Sequence, residues 1–344
     1  GNHTDHNHGC VVAASIDLDI IAVASAREDS VIRIKSEGFP EDVVDFKAYT
    51  TPDEAKFGSS ASIIAGMCAG FLKEGYAIGG FDAYTTSNVL KGSGLSSSAA
   101  FEDMVGNILS HLYNDGKVDN VEIAKLAQYS ENVFFGKPCG LLDQTASSVG
   151  GFITIDFADP KMPAIEKIDF DFAQSGHALC IIDSGADHAD LTDEYAAVKN
   201  EMISVAQRLG HNYLREADEA QFFNSIDLIR EVVGDRAILR ALHFFAENKR
   251  VAKQKAALES GDIDTFFENV KASGRSSFCY LQNVYTTKNV SEQGLSLALC
   301  LTEEFLRDKN GVCRVHGGGF AGTIQAFIPV DDAPAYEALM NGVF

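Results

Sequence analysis

Four short stretches of this 344-residue chain carry residue types that could do chemistry. The densest is Lys91-Gly92-Ser93-Gly94-Leu95-Ser96-Ser97-Ser98-Ala99-Ala100. Glycines let a backbone approach a ligand closely, and serine hydroxyls donate to phosphate oxygens or ligate a cation. Directly after it Phe101, Met104, Val105, Ile108, Leu109 and Leu112 form an apolar stripe at helical spacing. A helix starting there turns its free N–H groups and the positive end of its dipole toward the bend, which suits phosphate. The Gly-Lys-Ser/Thr ending of a P-loop is missing, so this would be a different solution to the same problem. The plainer alternative is a serine-capped helix start after a flexible loop.

The second stretch spaces Glu131 and Asp143 twelve residues apart, across Gly136, Pro138 and Gly140. Two acids bordering an apolar region suit a magnesium ligand and a group that orients or deprotonates a hydroxyl nucleophile. They could equally be two surface carboxylates in a chain with 49 acidic residues. The third stretch, Gly1-Asn2-His3-Thr4-Asp5-His6-Asn7-His8-Gly9, precedes a hydrophobic strand. So many donors and acceptors fit a sugar site, while His3, His6 and His8 also fit a metal site, or the segment is a solvated tail. The fourth is Arg314-Val315-His316-Gly317-Gly318-Gly319-Phe320-Ala321-Gly322, where three glycines in a row imply positive φ or close backbone approach.

The elements that must position these residues are a mixture of strands and helices. Strands are expected at Cys10 to Ile16, Ile20 to Ser25, Ser30 to Lys35, Gly80 to Thr86, Phe152 to Phe157 and His177 to Asp183. Helices are expected at Ser59 to Lys73, after Ser98, at Val121 to Phe134, and at about 193–209, 235–259, 262–273 and 291–308. A strand, glycine-rich turn and strand close the pattern at Gly311 to Ile328. This is α+β rather than the regular alternation of a doubly wound sheet. The length suits two domains, and a connector near residue 170 places them at 1–170 and 171–344.

Composition narrows the partners. Net charge is −21, which disfavours nucleic-acid and membrane surfaces, although backbone amides and a metal can still hold an anion such as ATP at short range. No apolar run approaches the roughly 20 residues of a membrane-spanning helix. Seven scattered cysteines without a CxxC pair imply free thiols and a cytoplasmic location. The sequence opens inside a motif and stops within a helical pattern, so the natural chain is expected to extend on both sides.

Taken together and in order, these segments resemble the GHMP kinase superfamily and, within it, the galactokinase family. Asn2-His3-Thr4-Asp5-His6-Asn7 is similar to the family signature Glu-His-Thr-Asp-Tyr-Asn, residues 92–100 match the superfamily phosphate motif, residues 139–144 resemble Cys-Gly-Ile-Met-Asp-Gln, and residues 316–322 resemble a C-terminal glycine-rich segment. The helix carrying His243, Glu247 and Arg250 on one face also resembles a family stretch, and those three are read as structural. The resemblance implies a two-lobed fold, with an N-terminal ribosomal-protein-S5-like lobe and a C-terminal ferredoxin-like lobe. It implies ATP-dependent phosphorylation of galactose at its anomeric hydroxyl, with Mg²⁺ as cofactor, ATP and a monosaccharide as the partners, and a monomer favoured. Gly92, Ser93, Gly94, Leu95, Ser96, Ser97 and Ser98 would wrap the ATP phosphates, and Ser98 and Glu131 would hold magnesium. Asp143 would be the catalytic acid. Asn2, His3, Thr4, Asp5, Gly140 and Tyr195 would hold the sugar.

Two departures bear on substrate and catalysis. Asn2 and His6 stand where the family carries glutamate and tyrosine, which could favour a relative such as galacturonate or N-acetylgalactosamine. The family's catalytic arginine lies ahead of the first signature and before the sequence given. Two rivals remain at this stage: a metal-dependent hydrolase using His3, His6, His8 and perhaps His188 with Asp187, and a sugar-sensing homologue without catalysis.

Overall fold

The structure is a computed structural model and describes residues 3–89, 95–137, 139–185 and 191–344. Its first strand, β1 (Cys10–Ala14), does not pair with the strands that follow it in sequence. It joins β6 (Phe152–Asp156) and β7 (Ala164–Ile168) in a three-stranded sheet of order β1-β6-β7. Contacts accordingly group Gly1–Ala13 with Phe152–Phe344 as one compact unit and leave Ala14–Gly151 as the other. This division differs from the chain-order boundary near residue 170, because the opening segment crosses over to the later half.

The unit Ala14–Gly151 begins with β2 (Ile20–Ala26), β3 (Val31–Ser36) and β4 (Glu41–Asp45), followed by α1 (Ser60–Lys73) and β5 (Phe81–Ser87). The sheet order is β2-β5-β3-β4, with β3 and β5 parallel and the other pairs antiparallel. Alternation along β3 buries Ile32 and Ile34 and exposes Arg33 and Lys35, as a one-faced sheet requires. After the glycine-serine bend comes α2 (Ser97–Tyr113), then α3 (Asn120–Tyr129), a π-helical turn over Ser130–Phe135, and α4 (Leu142–Val149). The apolar stripe of α2 behaves as its spacing predicts: Met104, Val105, Ile108 and Leu109 are buried, with Phe101 and Leu112 packed at the edge of the same core.

One helix over 121–134 is expected from the sequence; the structure instead ends α3 at Tyr129 and widens the next turn. The widening lets Ser130 leave the helical register and donate to the Ile63 carbonyl of α1 at 2.8 Å. Such single π turns are concentrated at functional sites. Gly66 of α1 makes room for it, since a Cβ there would lie 2.9 Å from the Ser130 Cα.

The other unit continues with β8 (His177–Asp183), α5 (Thr192–Arg208), the short α6 (Glu219–Asn224) and α7 (Ile226–Val233), and the 26-residue α8 (Asp235–Ser260). It ends with α9 (Ile263–Ser276), α10 (Gly294–Phe305), β9 (Val312–Val315), β10 (Thr323–Pro329) and α11 (Ala333–Asn341). Antiparallel pairing gives the sheet β8-β10-β9. His243 and Glu247 of α8 are fully buried; the His243 ring meets Ser276 Oγ at 2.9 Å, and Glu247 pairs with Arg250 at 2.5 Å and with Ser273. The contacts to Ser276 and Ser273 join α8 to α9, which is the structural role expected of that helix face. No helix among the described residues is long and apolar enough to cross a membrane.

The Gly66 contact sets a test of the packing. Alanine improves helix propensity by up to about 1 kcal/mol, while forcing a methyl into a filled contact costs about 1–3 kcal/mol. Gly66→Ala is therefore expected to destabilise the protein by about 1–2 kcal/mol, read from the shift in a urea unfolding midpoint.

Candidate active site

The bend and the catalytic candidate meet directly within the unit Ala14–Gly151. Ser96, the residue before α2, adopts a left-handed conformation with φ 56° and does not cap its own helix. Its hydroxyl donates instead to Asp143 Oδ2 at 2.6 Å. The first-turn N–H groups of α2 are thus left without a cap from that side chain, and they point toward the bend. Leu95, Ser97 and Ser98 are half-buried here, and Asp143 is exposed in the first turn of α4. Gly92, Ser93 and Gly94 lie outside the described residues, as does Asn2.

One turn into α2, Ser98 Oγ donates to Glu131 Oε1 at 3.3 Å. Glu131 is 2 % exposed and sits on the π-helical turn. Lys137 Nζ stands 3.3 Å from the same oxygen, with most of its side chain in solvent. Glu131 Oε2 accepts from Gln144 Nε2 at 2.8 Å, and that amide also reaches Glu102 Oε2 at 3.3 Å. Glu102 is buried in α2; burial, reinforced by the neighbouring Glu131 charge, pushes its carboxyl up to about 8. It is therefore protonated at neutral pH, which limits the negative charge buried beside Glu131.

The chemistry of the donor set around Glu131 Oε1 bears on magnesium. A carboxylate oxygen and a serine hydroxyl face each other, a cationic ammonium already neighbours that oxygen, and the phosphate-type bend adjoins. Magnesium is held through one or two carboxylates together with phosphate oxygens and water, so these residues fit it.

The loop between the π turn and α4 is pinned at Cys139, whose N–H donates to Asn132 Oδ1 at 2.6 Å and whose carbonyl accepts from Gln128 at 3.3 Å. This leaves Gly140 exposed beside the start of α4.

The sugar candidates Thr4, His3, Asp5 and Tyr195 belong to the other unit. Thr4 is buried and its hydroxyl donates to the Cys10 carbonyl at 2.7 Å. Asp5 opens a 3₁₀ turn over Asp5–Asn7, half-buried. The ring of His3 meets the Gly318 carbonyl at 3.0 Å through Nε2. A carbonyl only accepts, so Nε2 carries the hydrogen; burial lowers the ring's pKa, although Asp5 opposes it, and the neutral ring keeps Nδ1 as an acceptor. Tyr195 donates to the Gly319 carbonyl at 2.8 Å, and its ring lies so close to Gly318 that a Cβ there would sit 2.6 Å away. Asn283 donates to Gly318 O at 3.1 Å and presses its own backbone carbonyl against Gly319, where φ is 78°. The N-terminal signature and the late glycine turn, 315 residues apart at His3 and Gly318, are thus one construction.

Among the described residues, His3, His6 and His8 are engaged separately. His3 is engaged with Gly318, and His8 stacks on Tyr213 with ring centroids 3.8 Å apart. Burial holds His6 down at about 4, and its Nδ1 accepts from the Asn7 amide at 3.1 Å. Among the described residues no group of three or more His, Cys, Asp or Glu side chains could hold a metal ion. His188 and Asp187 lie outside them.

Comparison with known proteins gives the family. The galactokinase galactose-binding signature matches residues 1–26, and the GHMP kinases N terminal domain matches residues 62–151. The galactokinase of Streptomyces coelicolor is 32% identical over 265 residues, covering 76% of this chain and 67% of that protein. The chain belongs to the galactokinase family. The crystal structure of Lactococcus lactis galactokinase complexed with galactose superposes with a TM-score of 0.81 at 26% identity, over 100% of this chain and 86% of that one. The mevalonate kinase of Methanococcus jannaschii shares the fold alone, with a TM-score of 0.65 at 15% identity over 99% of this chain and 91% of its own. The fold is the two-lobed α+β fold of GHMP kinases.

Sequence reasoning missed Glu102, Lys137, Gln144 and Asn283. Gln144 adjoins Asp143 and reads as part of its motif, whereas Glu102 and Lys137 carry no spacing signal. Asn283 lies in a stretch without periodicity.

Glu102 makes the stability of this galactokinase-family protein depend on pH. The unfolded chain releases the Glu102 proton near the ordinary 4.5, while the folded chain keeps it to about 8. The associated stability is complete below 4.5 and is lost as pH rises through 8. Glu102→Gln removes that linkage, so its melting temperature is expected to fall less than the wild type's between about pH 5 and pH 8, measured by circular dichroism.

Proposed function

We propose that the protein transfers the γ-phosphoryl group of ATP to the anomeric hydroxyl of galactose, giving galactose 1-phosphate and ADP. The observation that carries the mechanism is the 2.6 Å contact between Ser96 and Asp143, which sets the acid at the edge of the phosphate-type bend. Phosphoryl transfer needs mainly positioning and charge stabilisation. Amides of the first turn of α2 and the hydroxyls of residues 92–98 hold the phosphates. Ser96 fixes one oxygen of Asp143, and the carboxylate accepts the proton of the attacking hydroxyl or aims it in line. His3 Nδ1, Asp5, Thr4, the backbone at Gly140 and Tyr195 form the proposed sugar-recognition set, with Asn2 as a further polar contact. In it the neutral His3 accepts from a hydroxyl.

Magnesium is the proposed cofactor, and Ser98 and Glu131 are the residues that would hold it. When bound, it neutralises charge on the β- and γ-phosphates. The reading places the reaction in the cytoplasm, which suits seven cysteines that are all unpaired. Nucleic acid and membrane surfaces have no place in it, given a net charge of −21.

The substrate is tested by coupled ADP release with galactose, galacturonate and N-acetylgalactosamine. Galactose is expected to give the highest kcat/KM. A higher value for either rival would transfer the assignment to that sugar, and ATP and sugar binding without ADP release would mark a silent homologue. For the acid, Asp143→Ala is expected to lower kcat by about 10²–10⁴-fold while ATP affinity changes little. Single-turnover chemistry at the wild-type rate in that variant would remove Asp143 from its role.

A further inference from the structure

We propose that Gln144 is a positioning residue for the metal: its side-chain amide, anchored on the buried Glu102, holds one oxygen of Glu131 so that the other faces Ser98. This rests on reading Ser98 and Glu131 as the magnesium pair. Gln144 is 1 % exposed and follows Asp143 in the first turn of α4. Successive helical residues diverge by about 100°, so α4 turns Asp143 toward Ser96 and Gln144 into the interior. Gln144 Nε2 lies 2.8 Å from Glu131 Oε2 and 3.3 Å from Glu102 Oε2. Glu131 fixes the amide's orientation, because the opposite flip would set the Gln144 carbonyl against a carboxylate oxygen that can only accept.

The contacts of Glu131 divide by oxygen. Oε2 faces the buried amide. Oε1 faces Ser98 and Lys137, each at 3.3 Å, and Lys137 is mostly in solvent and free to swing. One side of the carboxylate is thus clamped, and the other meets Ser98, its partner in the metal pair, and the Lys137 ammonium, which can give way to a cation. Stability alone does not account for the clamp. Glu102 Oε1 and Gln144 Oε1 are both buried without a hydrogen-bond partner among the described residues, and an apolar trio of the same shape would avoid that cost. Partners that orient a metal ligand are a general requirement of metal sites, and their loss weakens metal binding about 10–100-fold.

The test is Mn²⁺ binding to the protein saturated with ADP, followed by the electron paramagnetic resonance signal of free Mn²⁺. ADP affinity in EDTA is measured alongside. Glu131→Gln is expected to abolish the tight Mn²⁺ site. Gln144→Met, of similar length but without a donor, is expected to weaken Mn²⁺ about tenfold or more while metal-free ADP affinity stays within about twofold. Glu102→Gln, whose carbonyl still accepts, is expected to rescue binding that Glu102→Met weakens. Wild-type Mn²⁺ affinity in Gln144→Met, with loss in Glu131→Gln, overturns the positioning role and leaves the metal pair standing. Wild-type affinity in Glu131→Gln overturns both. Should Gln144→Met not fold, Glu102→Met keeps the amide but removes its anchor, and unchanged Mn²⁺ affinity there overturns the proposal.

Discussion

A carboxylate taken out of water must be neutralised or given donors, and much of the unit Ala14–Gly151 answers to that demand at Glu131. Ser98 is brought to it by the start of α2, Gln144 by the start of α4, and Lys137 by the exit of the π turn on which Glu131 itself sits. The π turn in turn needs the close approach of α1 that Gly66 allows. The neighbouring Glu102 gives up its charge by keeping a proton, so the pair does not bury two negative charges side by side. Packing, backbone register and protonation are therefore three responses to one electrostatic problem.

In the other unit the corresponding constraint is conformational. Three consecutive glycines lose more freedom on folding than any other run, and a turn made of them needs holding. His3 and Asn283 both bond the Gly318 carbonyl, and Tyr195 bonds the next one. These side chains come from the first segment, from the stretch after α9 and from α5, so the sugar candidates also serve as the turn's fixings. That dual service ties the state of the half-buried His3 ring, whose pKa burial lowers, to the shape of the turn.

What could be read from the sequence was what local patterning encodes. The apolar stripe of α2, the alternation of β3 and the ordered glycine motifs were all legible, because each depends on neighbours within a few residues. β4, with the sequence Glu-Asp-Val-Val-Asp, and β7, Ala-Ile-Glu-Lys-Ile, were not. Both are edge strands whose charged residues face water, so they lack a continuous hydrophobic signal. The π turn was illegible because it is set by packing against α1 and not by propensity. Motif order put residues 92–98 and Asp143 in one expected site. Neither the Ser96–Asp143 contact nor Gln144 bridging two buried acids follows from it, because each requires separate elements to be placed at once. The crossing of β1 to β6 is likewise a long-range pairing that no window of sequence reports.

That crossing bears on how the chain is made. Synthesis delivers the opening segment first, yet its strand partner arrives more than a hundred residues later, and His3 must wait for Gly318, 315 residues downstream. Contacts that distant are slow to close, and an unpaired strand invites wrong partners while it waits. The Ala14–Gly151 unit contains its whole core within its own span, so it can mature while the ribosome is still at work. A nascent chain released before residue 318 would hold the Ser96–Asp143 contact within a finished unit, while His3 would still have no Gly318 carbonyl to lean on.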